Sequence, residues 1–136
     1  MEIIKQRASA LIIKDRRILL LHRLKYGEDF FVFPGGRVEE GETPEAAMIR
    51  EVMEETSLTV LSCKFAFEVI IPMVGKQYLF FLCQTSNGTP RLGWPETDRQ
   101  NNENIYLFEW HKLDKVKDLN LLPSACKERF CLEYSN

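Results

Sequence analysis

Three glutamates, Glu51, Glu54 and Glu55, are spaced so that their carboxylates could act together. In an α-helix, which turns about 100° per residue, positions i, i+3 and i+4 are immediate neighbours on one face. Each like-charged pair at this spacing costs roughly 0.2–0.5 kcal/mol, and only Arg50 flanks the group. Clustered carboxylate oxygens with so few cations beside them are typical of a Mg²⁺ or Mn²⁺ site. The alternative is an acidic, solvent-exposed helix face that binds nothing.

The segment that carries these acids begins with the residues that usually start a helix. Thr43 is a suitable N-cap, Pro44 suits the first helical position, and Glu45 lies in the first turn. We expect the helix to end near Thr56. Its apolar side consists of four residues, Met48, Ile49, Val52 and Met53. Ala47 is expected among the acids, where its small side chain would leave space above the helix.

A loop over residues 34–42 leads into this helix and contains the pair Gly35 and Gly36. Glycines permit sharp backbone geometry and leave carbonyl and amide groups accessible, as a site that approaches phosphate or metal requires. Taken alone, the pair would equally suit a simple turn. Together with the acidic helix, it favours a binding site at the start of the helix.

Residues 36–58 closely resemble the Nudix box, G-x5-E-x7-R-E-U-x-E-E-x-G-U, in which U is a bulky aliphatic residue. The matching positions are Gly36, Glu42, Arg50, Glu51, Val52, Glu54, Glu55 and Leu58. Ser57 departs from the pattern, because the family has glycine at that position. The residue just past a helix often adopts the left-handed conformation, which favours glycine, so Ser57 is expected to have that backbone and to bear some strain. The preceding strands, Phe33-Pro34 and Trp110 also look like the family, so the resemblance covers most of the chain.

The resemblance implies an α/β (α+β) fold, an α/β/α sandwich around a mixed sheet. It also implies hydrolysis of a nucleoside diphosphate linked to another group, with Mg²⁺ or Mn²⁺ as cofactor. By matching positions, Glu51, Glu54 and Glu55 would bind metal, with the Gly35 carbonyl as a further ligand. Arg50 would pair with the glutamates and orient them for catalysis. Glu42 would support the loop or an outer metal shell.

Such a reaction needs a group that takes the proton from the attacking water. Metal ions neutralise the phosphate oxygens and hold the diphosphate in line, and a neighbouring carboxylate can then accept the proton. Glu51 is the first choice for this general base. Some relatives use an acid from a downstream loop instead, and Glu96 and Glu103 are the candidates here. For these two, ordinary surface charge is the competing interpretation.

The substrate contacts are less legible from sequence. Arg7 and Arg23 could bind phosphate from strand ends, or be solvated strand residues. His22, beside apolar leucines, is expected to be structural. The loop residues 92–96 lie where a substrate-side loop would be expected. Four aromatic residues could stack on a base or pack in the core: Phe31, Tyr78, Trp94 and Tyr106.

These side chains must be positioned by one small domain over residues 1–136. The expected strands cover residues 8–13, 17–24, 30–33, 59–71, 76–85 and 104–110. The second strand is apolar on both faces and should be central. A closing helix is expected over residues 123–133, and a polar segment over residues 86–102 reads as a long loop, a feature that is often functional. Strands on either side of helices suggest a layered sandwich.

Composition limits the remaining possibilities. The 136 residues are 45% hydrophobic and 28% charged, typical of a soluble globular domain. A net charge of −2 argues against long nucleic acid as a partner, and no run is long and apolar enough to cross a membrane. The amino terminus lacks the features of a signal peptide. Four cysteines without metal-ligand spacing are expected to be reduced thiols in a cytoplasmic protein.

These observations together predict a metal-dependent pyrophosphohydrolase that cuts a diphosphate linkage in a small nucleotide-like substrate. The alternative is a module of the same fold that binds a nucleotide without cutting it, and a lost glutamate would favour that reading. A third possibility, isomerisation of an isoprenoid diphosphate, suits the short chain poorly. Substrate identity, the number of metal ions and oligomeric state, including a homodimer, stay open.

Overall fold

The computed structural model describes residues 4–134. These residues form eight strands and three α-helices. The strands are β1 (Lys5–Lys14), β2 (Arg17–Lys25), β3 (Glu28–Val32), β4 (Gly35–Arg37), β5 (Val60–Ile71), β6 (Lys76–Thr85), β7 (Asn104–Lys112) and β8 (Leu121–Leu122). The helices are α1 (Pro44–Thr56), α2 (Glu96–Arg99) and α3 (Ser124–Tyr134), and short 3₁₀ turns occur at Pro72–Val74 and Leu113–Asp118.

The strands form one mixed, curled sheet in the order β5-β6-β1-β2-β3-β8, with β4 pairing to β1 and β7 to β2. The pairs β1/β6 and β3/β8 are parallel, and the other strand pairs are antiparallel. The predicted mixed sheet and α/β class are therefore confirmed. Strand β2 is central, as its doubly apolar run predicted, because it pairs with β7 along one side and with β1 and then β3 along the other.

Helices cover both faces of the sheet and divide the core in two. Ala8, Ala10 and Ile12 alternate along β1 and pack with Met48 and Val52 of α1. The intervening residue Leu11 faces the other way, into a cluster that includes Phe33 and Phe80 and, from α3, Cys126 and Phe130. This arrangement gives the α/β/α layers that the sequence resemblance implied.

Strands β1 and β2 pair only beside their connecting turn, at Ile13↔Ile18 and Lys14↔Arg17. Beyond that point they separate. Strand β1 continues as the partner of β4 and β6, while β2 continues as the partner of β3 and β7. The sheet therefore splits into two halves that open away from the turn, and the ends of β1 and β2 face a gap between them.

The structure corrects several local expectations. Strand β4 lies inside the segment predicted to be a loop, because its three residues pair with β1. The helix α2 lies inside the long loop predicted over residues 86–102. Ala47 is fully buried and does not lie among the acids, whereas Ile49 and Met53 are 40% and 45% exposed. The buried face of α1 is thus rotated toward Ala47 relative to the predicted apolar side.

All four cysteines are free thiols, in agreement with the sequence. Within residues 4–134, none of the helices is sufficiently long and apolar to cross a bilayer. The prediction about the amino terminus rests partly on residues 1–3, which lie outside the described residues. The cytoplasmic location and the homodimer stay predictions.

Candidate active site

A side-chain hydrogen bond at one end of α1 and a left-handed residue at the other explain where this helix begins and ends. The Thr43 hydroxyl accepts a hydrogen bond from the Ala46 amide at 3.2 Å, and Pro44 occupies the first turn. The helix ends at Ser57, which adopts the left-handed conformation with φ 63°. The sequence-based bounds of this helix are confirmed, and so is the left-handed backbone that the family's glycine implied at position 57.

Two glycines let the backbone of β4 lie directly against the acids of α1. A Cβ on Gly36 would lie 2.3 Å from the Glu51 carboxyl carbon, so any side chain there would occupy the place of that carboxylate. Gly35 has φ +148°, and a Cβ on it would lie 2.3 Å from the Ala8 carbonyl oxygen. Its amide donates a hydrogen bond to Glu55 Oε1 at 2.9 Å. The backbone of the two glycines therefore lies directly against two of the three glutamates, Glu51 and Glu55.

Arg50 ties the acidic helix to the preceding loop. Its Nε and Nη2 donate to the two carboxylate oxygens of Glu42 at 2.8 and 2.9 Å. Its Nη1 donates to Glu51 Oε1 at 2.9 Å and to Glu54 Oε2 at 3.2 Å. Nη2 also donates to the Arg37 carbonyl at 3.1 Å. These five contacts match the planar, forked donor set of a guanidinium, and they place Arg50 where it orients two of the predicted metal ligands.

Glu42 connects the loop before α1 to the Arg50 side chain, which also contacts Glu51 and Glu54. Besides the two bonds from Arg50, its Oε1 accepts the Glu39 amide at 3.0 Å. The hydrogen bond from Arg50, followed by that from the Glu39 amide, lowers the pKa of Glu42 to about 2. Glu42 is therefore ionised at neutral pH and fixes both the loop and the Arg50 side chain.

The other acids of the site lie in a less hydrated environment. Burial raises the pKa of Glu55 to about 8, and repulsion from Glu96 and Glu51 adds to this effect against the Gly35 amide. Burial also raises the pKa of Glu51, although Arg50 opposes the shift. The pKa of Glu96 is raised by burial as well. Such concentrated perturbation of carboxylates in one cleft is typical of functional sites.

The loop after β6 packs tightly on the end of α1. A Cβ on Gly93 would lie 1.9 Å from the Glu54 carbonyl oxygen, so only glycine permits this approach. The Arg91 amide donates to the Thr56 carbonyl at 2.8 Å, and the Ser57 hydroxyl donates to the Arg91 carbonyl at 2.7 Å. The loop continues into α2, which brings Glu96 to the acids of α1.

One cleft of about 480 Å³ contains most of the predicted site residues. The three glutamates, Arg50 and the Gly35-Gly36 backbone line one side of it, and Arg7, Arg23 and Glu96 line it too. Glu103 does not. It lies on the turn before β7 and borders a separate cleft with Tyr26, whose amide donates to the Glu103 carbonyl at 2.8 Å. The structure therefore does not bring Glu103 together with the other predicted site residues, because the chain reverses at the Asn101–Asn104 bridge.

The aromatic candidates divide between site and core. Trp94 is 71% exposed and lines the cleft. Tyr106 also lines it, and the Arg23 guanidinium carbon lies 3.7 Å above its ring centre. Phe31 is a core residue whose ring stacks on His22 at 4.3 Å. His22 is structural, as expected, since its ring nitrogens bond Asp29 and Glu109.

Sequence reasoning missed two cationic residues of the cleft, Arg37 and Arg99. Arg99 lies three positions after Glu96 on α2, so the two share a helix face. A helix pattern in that segment could have revealed it, but four residues are too few for a periodic signal. Arg37 lies on β4, which pairs with β1 so that Arg37 is opposite Arg7.

The donors fit a hard divalent cation by chemistry, since they are carboxylate and carbonyl oxygens. They do not yet converge: residues 4–134 contain no group of three or more histidine, cysteine, aspartate or glutamate side chains placed to hold a metal ion. Arg50 draws Glu51 and Glu54 to itself, whereas the Gly35 amide holds Glu55. The raised pKa of Glu55 marks a carboxylate whose charge lacks compensation. Binding a cation here would require these side chains to turn toward a shared point.

The amino-acid sequence resembles one protein family and several characterised relatives. A sequence model of the NUDIX domain family matches residues 4–129. An 8-oxo-dGTP diphosphatase from Buchnera aphidicola is 32% identical, over 81% of this chain and 78% of the relative. Another from Haemophilus influenzae is 34% identical, over 72% of this chain and 70% of the relative.

A further relative matches over a shorter segment. An RNA pyrophosphohydrolase from Actinobacillus succinogenes is 44% identical over 35% of this chain, and the chain spans only 24% of that relative. Among solved structures, MutT from work on Aliivibrio salmonicida and Vibrio cholerae has a TM-score of 0.72 at 21% identity, covering 96% of this chain and 98% of that one. MutT protein from Methanosarcina mazei has a TM-score of 0.70 at 24% identity, covering 97% and 96%. These two likenesses concern the fold.

Proposed function

Because the chain belongs to the NUDIX domain family, we propose that it is a metal-dependent pyrophosphohydrolase that cleaves a diphosphate linkage within a small nucleotide-like substrate. One observation carries this proposal. The acidic helix face of Glu51, Glu54 and Glu55 lines the same cleft as two arginines from the strands, Arg7 and Arg23. A cleft with acids on one side and arginines on another suits an anionic substrate that is bound together with a cation.

The substrate class is a nucleoside diphosphate linked to a further group, which includes nucleoside triphosphates. Two of the relatives described above are named RNA pyrophosphohydrolase and 8-oxo-dGTP diphosphatase, and 8-oxo-dGTP contains such a linkage. A guanidinium binds phosphate oxygens through paired donors, so Arg7 and Arg23 are the residues that hold the diphosphate.

Two buried polar atoms of the cleft support a missing partner there. Within the described residues, Arg23 Nε and Glu96 Oε2 are buried and have no hydrogen-bond partner. A buried polar atom without a partner costs about 1–3 kcal/mol, so native structures seldom leave one unmatched. Bound phosphate would satisfy the arginine nitrogen, and a water molecule would satisfy the carboxylate oxygen. These two atoms support the proposal that phosphate approaches Arg23 and that a water molecule approaches Glu96.

The carboxylates and the Gly35 carbonyl are the groups that would hold Mg²⁺ or Mn²⁺, with Glu51, Glu54 and Glu55 as side-chain ligands. The bound ion supplies neutralisation of the diphosphate charge and fixes the phosphate geometry. Arg50 keeps Glu51 and Glu54 in place through its hydrogen bonds. Glu42 holds Arg50 in turn.

The proton from the attacking water goes to a carboxylate of the cleft. Glu51 and Glu96 are the candidates for this role, because both line the catalytic cleft, whereas Glu103 borders a separate cleft. Glu51 accepts a hydrogen bond from Arg50, which stabilises its ionised form. Glu96 keeps one oxygen unpartnered. The ionised form of Glu51 is thus stabilised by a hydrogen bond, whereas Glu96 has one oxygen without a partner that could accept the proton.

The test is an assay of phosphate and pyrophosphate release from a panel of nucleoside triphosphates, sugar nucleotides and dinucleoside polyphosphates. Mg²⁺ and Mn²⁺ should each support turnover, and a chelator should abolish it. Glu54→Gln keeps the side-chain shape but removes one charge, so it should weaken metal binding and lower the rate. Glu128→Gln makes the same change on the exposed face of α3 and serves as the matched control.

Two results would overturn the proposal. Full turnover in a chelator would exclude the metal mechanism. Tight nucleotide binding without release of phosphate or pyrophosphate from any compound would identify a binding module that does not hydrolyse its ligand.

A further inference from the structure

Arg23 lies between two aromatic rings, one from each neighbouring strand. Its direct partners in the sheet are Phe30 on β3 and Tyr106 on β7, and directly paired residues lie on the same face of a sheet. The guanidinium carbon lies 3.7 Å from the centre of the Tyr106 ring and 6.0 Å from that of Phe30. A planar guanidinium stacks favourably on aromatic faces. The rings therefore limit the plane in which the head group of Arg23 can lie.

A hydrogen bond to Asn104 restricts the head group further. Asn104 precedes Tyr106 by two residues on β7, so it lies on the same face and diagonally across from Arg23. Arg23 Nη2 donates to Asn104 Oδ1 at 2.5 Å. Within the described residues, Arg23 Nε is buried and has no partner. The protein thus holds the guanidinium in place and leaves one of its donors for a ligand.

Asn104 is itself anchored to the end of α2. Its Nδ2 donates to the carbonyl of Arg99, the last residue of α2, at 3.0 Å. The two partners require different atoms, because a guanidinium only donates and a carbonyl only accepts. An amide provides one acceptor and one donor, whereas a carboxylate would place a second acceptor against the Arg99 carbonyl. The residue type at position 104 is therefore matched to a bridge between Arg23 and α2.

The backbone of Asn104 is fixed as well. Its amide and its carbonyl exchange two hydrogen bonds with Asn101, each 3.1 Å long. The side chain is 8% exposed, so little water can compete for its partners. A side chain that is held at both ends can order a long arginine before a ligand arrives, which removes that ordering cost from binding.

The aromatic support of Arg23 has a similar anchor. The Tyr106 amide donates to Gln100 Oε1 at 3.1 Å, and Gln100 directly follows α2. Both residues of β7 that contact the Arg23 head group are therefore tied to the carboxyl end of α2. Helix α2 begins at Glu96, an acid of the catalytic cleft. The same short segment thus supports an acid and an arginine of this cleft.

We infer that Asn104 is a positioning residue, which holds the Arg23 guanidinium against Tyr106 for contact with a phosphate group in the catalytic cleft. Arg23 lines this cleft and Asn104 does not, so Asn104 acts through Arg23. The inference rests on the proposed function for the ligand of Arg23, but the order of the Arg23 side chain can be measured without any substrate.

The mobility of Arg23 tests the positioning directly. NMR relaxation of the arginine Nε–H groups in the full chain reports side-chain order on the picosecond-to-nanosecond timescale. Arg23 should have an order parameter near the value of about 0.85 found for rigid backbone, and Asn104→Ala should lower it below about 0.6. Asn104→Asp keeps an acceptor for Arg23 and should retain the high value. Asn120→Ala is the matched control, because Asn120 Nδ2 donates to the Asp29 carbonyl at 3.0 Å outside the catalytic cleft.

Kinetics distinguish the positioning of Arg23 from a general loss of structure. On a panel compound that the parent hydrolyses, Asn104→Ala should raise KM about three- to tenfold, because Arg23 must then be ordered when phosphate binds. In an Arg23→Ala background, the same substitution should change KM by less than about twofold, since the side chain through which Asn104 acts is absent. Asn120→Ala should leave KM unchanged. Denaturant midpoints show whether each variant is folded.

Tyr106→Leu provides a second variant in case Asn104→Ala does not fold. It removes the ring and should also lower the order parameter of Arg23, whereas Tyr106→Phe keeps the ring and should restore it. An Arg23 side chain that stays ordered in Asn104→Ala would overturn the inference, as would an equal rise of KM in both backgrounds. If no panel compound is hydrolysed, the proposed function fails, while the NMR comparison still decides whether Asn104 positions Arg23.

Discussion

Replacing Gly93 by alanine would test whether the loop that carries Glu96 must touch the end of α1 for activity. The added Cβ would lie 1.9 Å from the Glu54 carbonyl oxygen, whereas real contacts of this kind essentially never fall below 3.0 Å. Both groups belong to the backbone and cannot rotate away. The loop must therefore retreat by more than about 1 Å, since packed atoms resist such overlap steeply.

The retreat has a structural and a catalytic cost. It strains three hydrogen bonds, from the Arg91 amide to Thr56, from Ser57 to the Arg91 carbonyl, and from the Thr97 amide to the Gly93 carbonyl. Overpacking of this kind typically destabilises by about 1–3 kcal/mol. It also moves Glu96 out of register with the acids of α1. A displacement near 1 Å can lower the rate about 100-fold, so we expect kcat/KM of Gly93→Ala to fall by roughly ten- to a hundredfold.

The assay is steady-state hydrolysis at saturating metal, accompanied by a denaturant midpoint for each protein. Gly88→Ala is the matched control, because it lies in the same loop and its Cβ would meet nothing within 4 Å. Gly88 has φ +141°, so alanine there should lower stability through backbone strain while leaving kcat/KM close to that of the parent. A Gly93→Ala protein with parental stability and kcat/KM would refute the contact between loop and helix in the active enzyme.

Three further predictions concern the acids and the end of α1. If Glu51 is the general base, Glu51→Gln should lower kcat by about 10²–10⁴-fold with metal affinity measured alongside, whereas an inactive Glu96→Gln beside a near-normal Glu51→Gln would assign the role to the loop. Because burial raises the pKa of Glu55 to about 8 from an ordinary 4.5, the metal-free folded protein binds an extra proton between these pH values and its stability should fall as pH rises through them. Glu55→Gln should flatten this slope and raise the metal-free unfolding free energy at pH 9 by on the order of 2 kcal/mol; an unchanged slope in chelator would contradict the buried carboxylate. Ser57→Ala keeps the left-handed strain and loses the 2.7 Å bond to Arg91, so it should cost about 0.5–1.5 kcal/mol. Ser57→Gly relieves about 1–2 kcal/mol of backbone strain, but it loses the same hydrogen bond and costs more chain entropy on folding. Its denaturant midpoint should therefore stay near that of the parent and above that of Ser57→Ala. A midpoint below that of Ser57→Ala would disprove the strain.

The sequence was informative wherever the site depends on neighbours along the chain. The helix from Pro44 to Thr56 was predictable because its cap, its first-turn proline and its charge spacing all act within a few residues. The same locality explains why the contacts of Arg50 with Glu51 and Glu54 could be expected. The left-handed backbone at Ser57 was likewise predictable from the glycine usually found there.

Prediction was less successful where the answer depends on which face of an element meets another element. Ala47 was expected among the acids, yet it is buried beneath α1, because the position of the sheet decides which stripe of a helix is covered. Glu96 and Glu103 were equivalent candidates when only the sequence was considered. The contact of Gly93 with Glu54 brings Glu96 to the site, and a turn of the chain removes Glu103.

The sequence by itself therefore determined the family, the acidic helix and the kind of chemistry, since these reside in one continuous segment whose geometry is set by helix periodicity. Only the tertiary structure decided what lies opposite that helix. Arg7 comes from one half of the split sheet and Arg23 from the other, and no spacing along the chain relates them. They share a space because β1 and β2 pair at their turn and then diverge, a consequence of strand pairing over long sequence separations that local preferences do not encode.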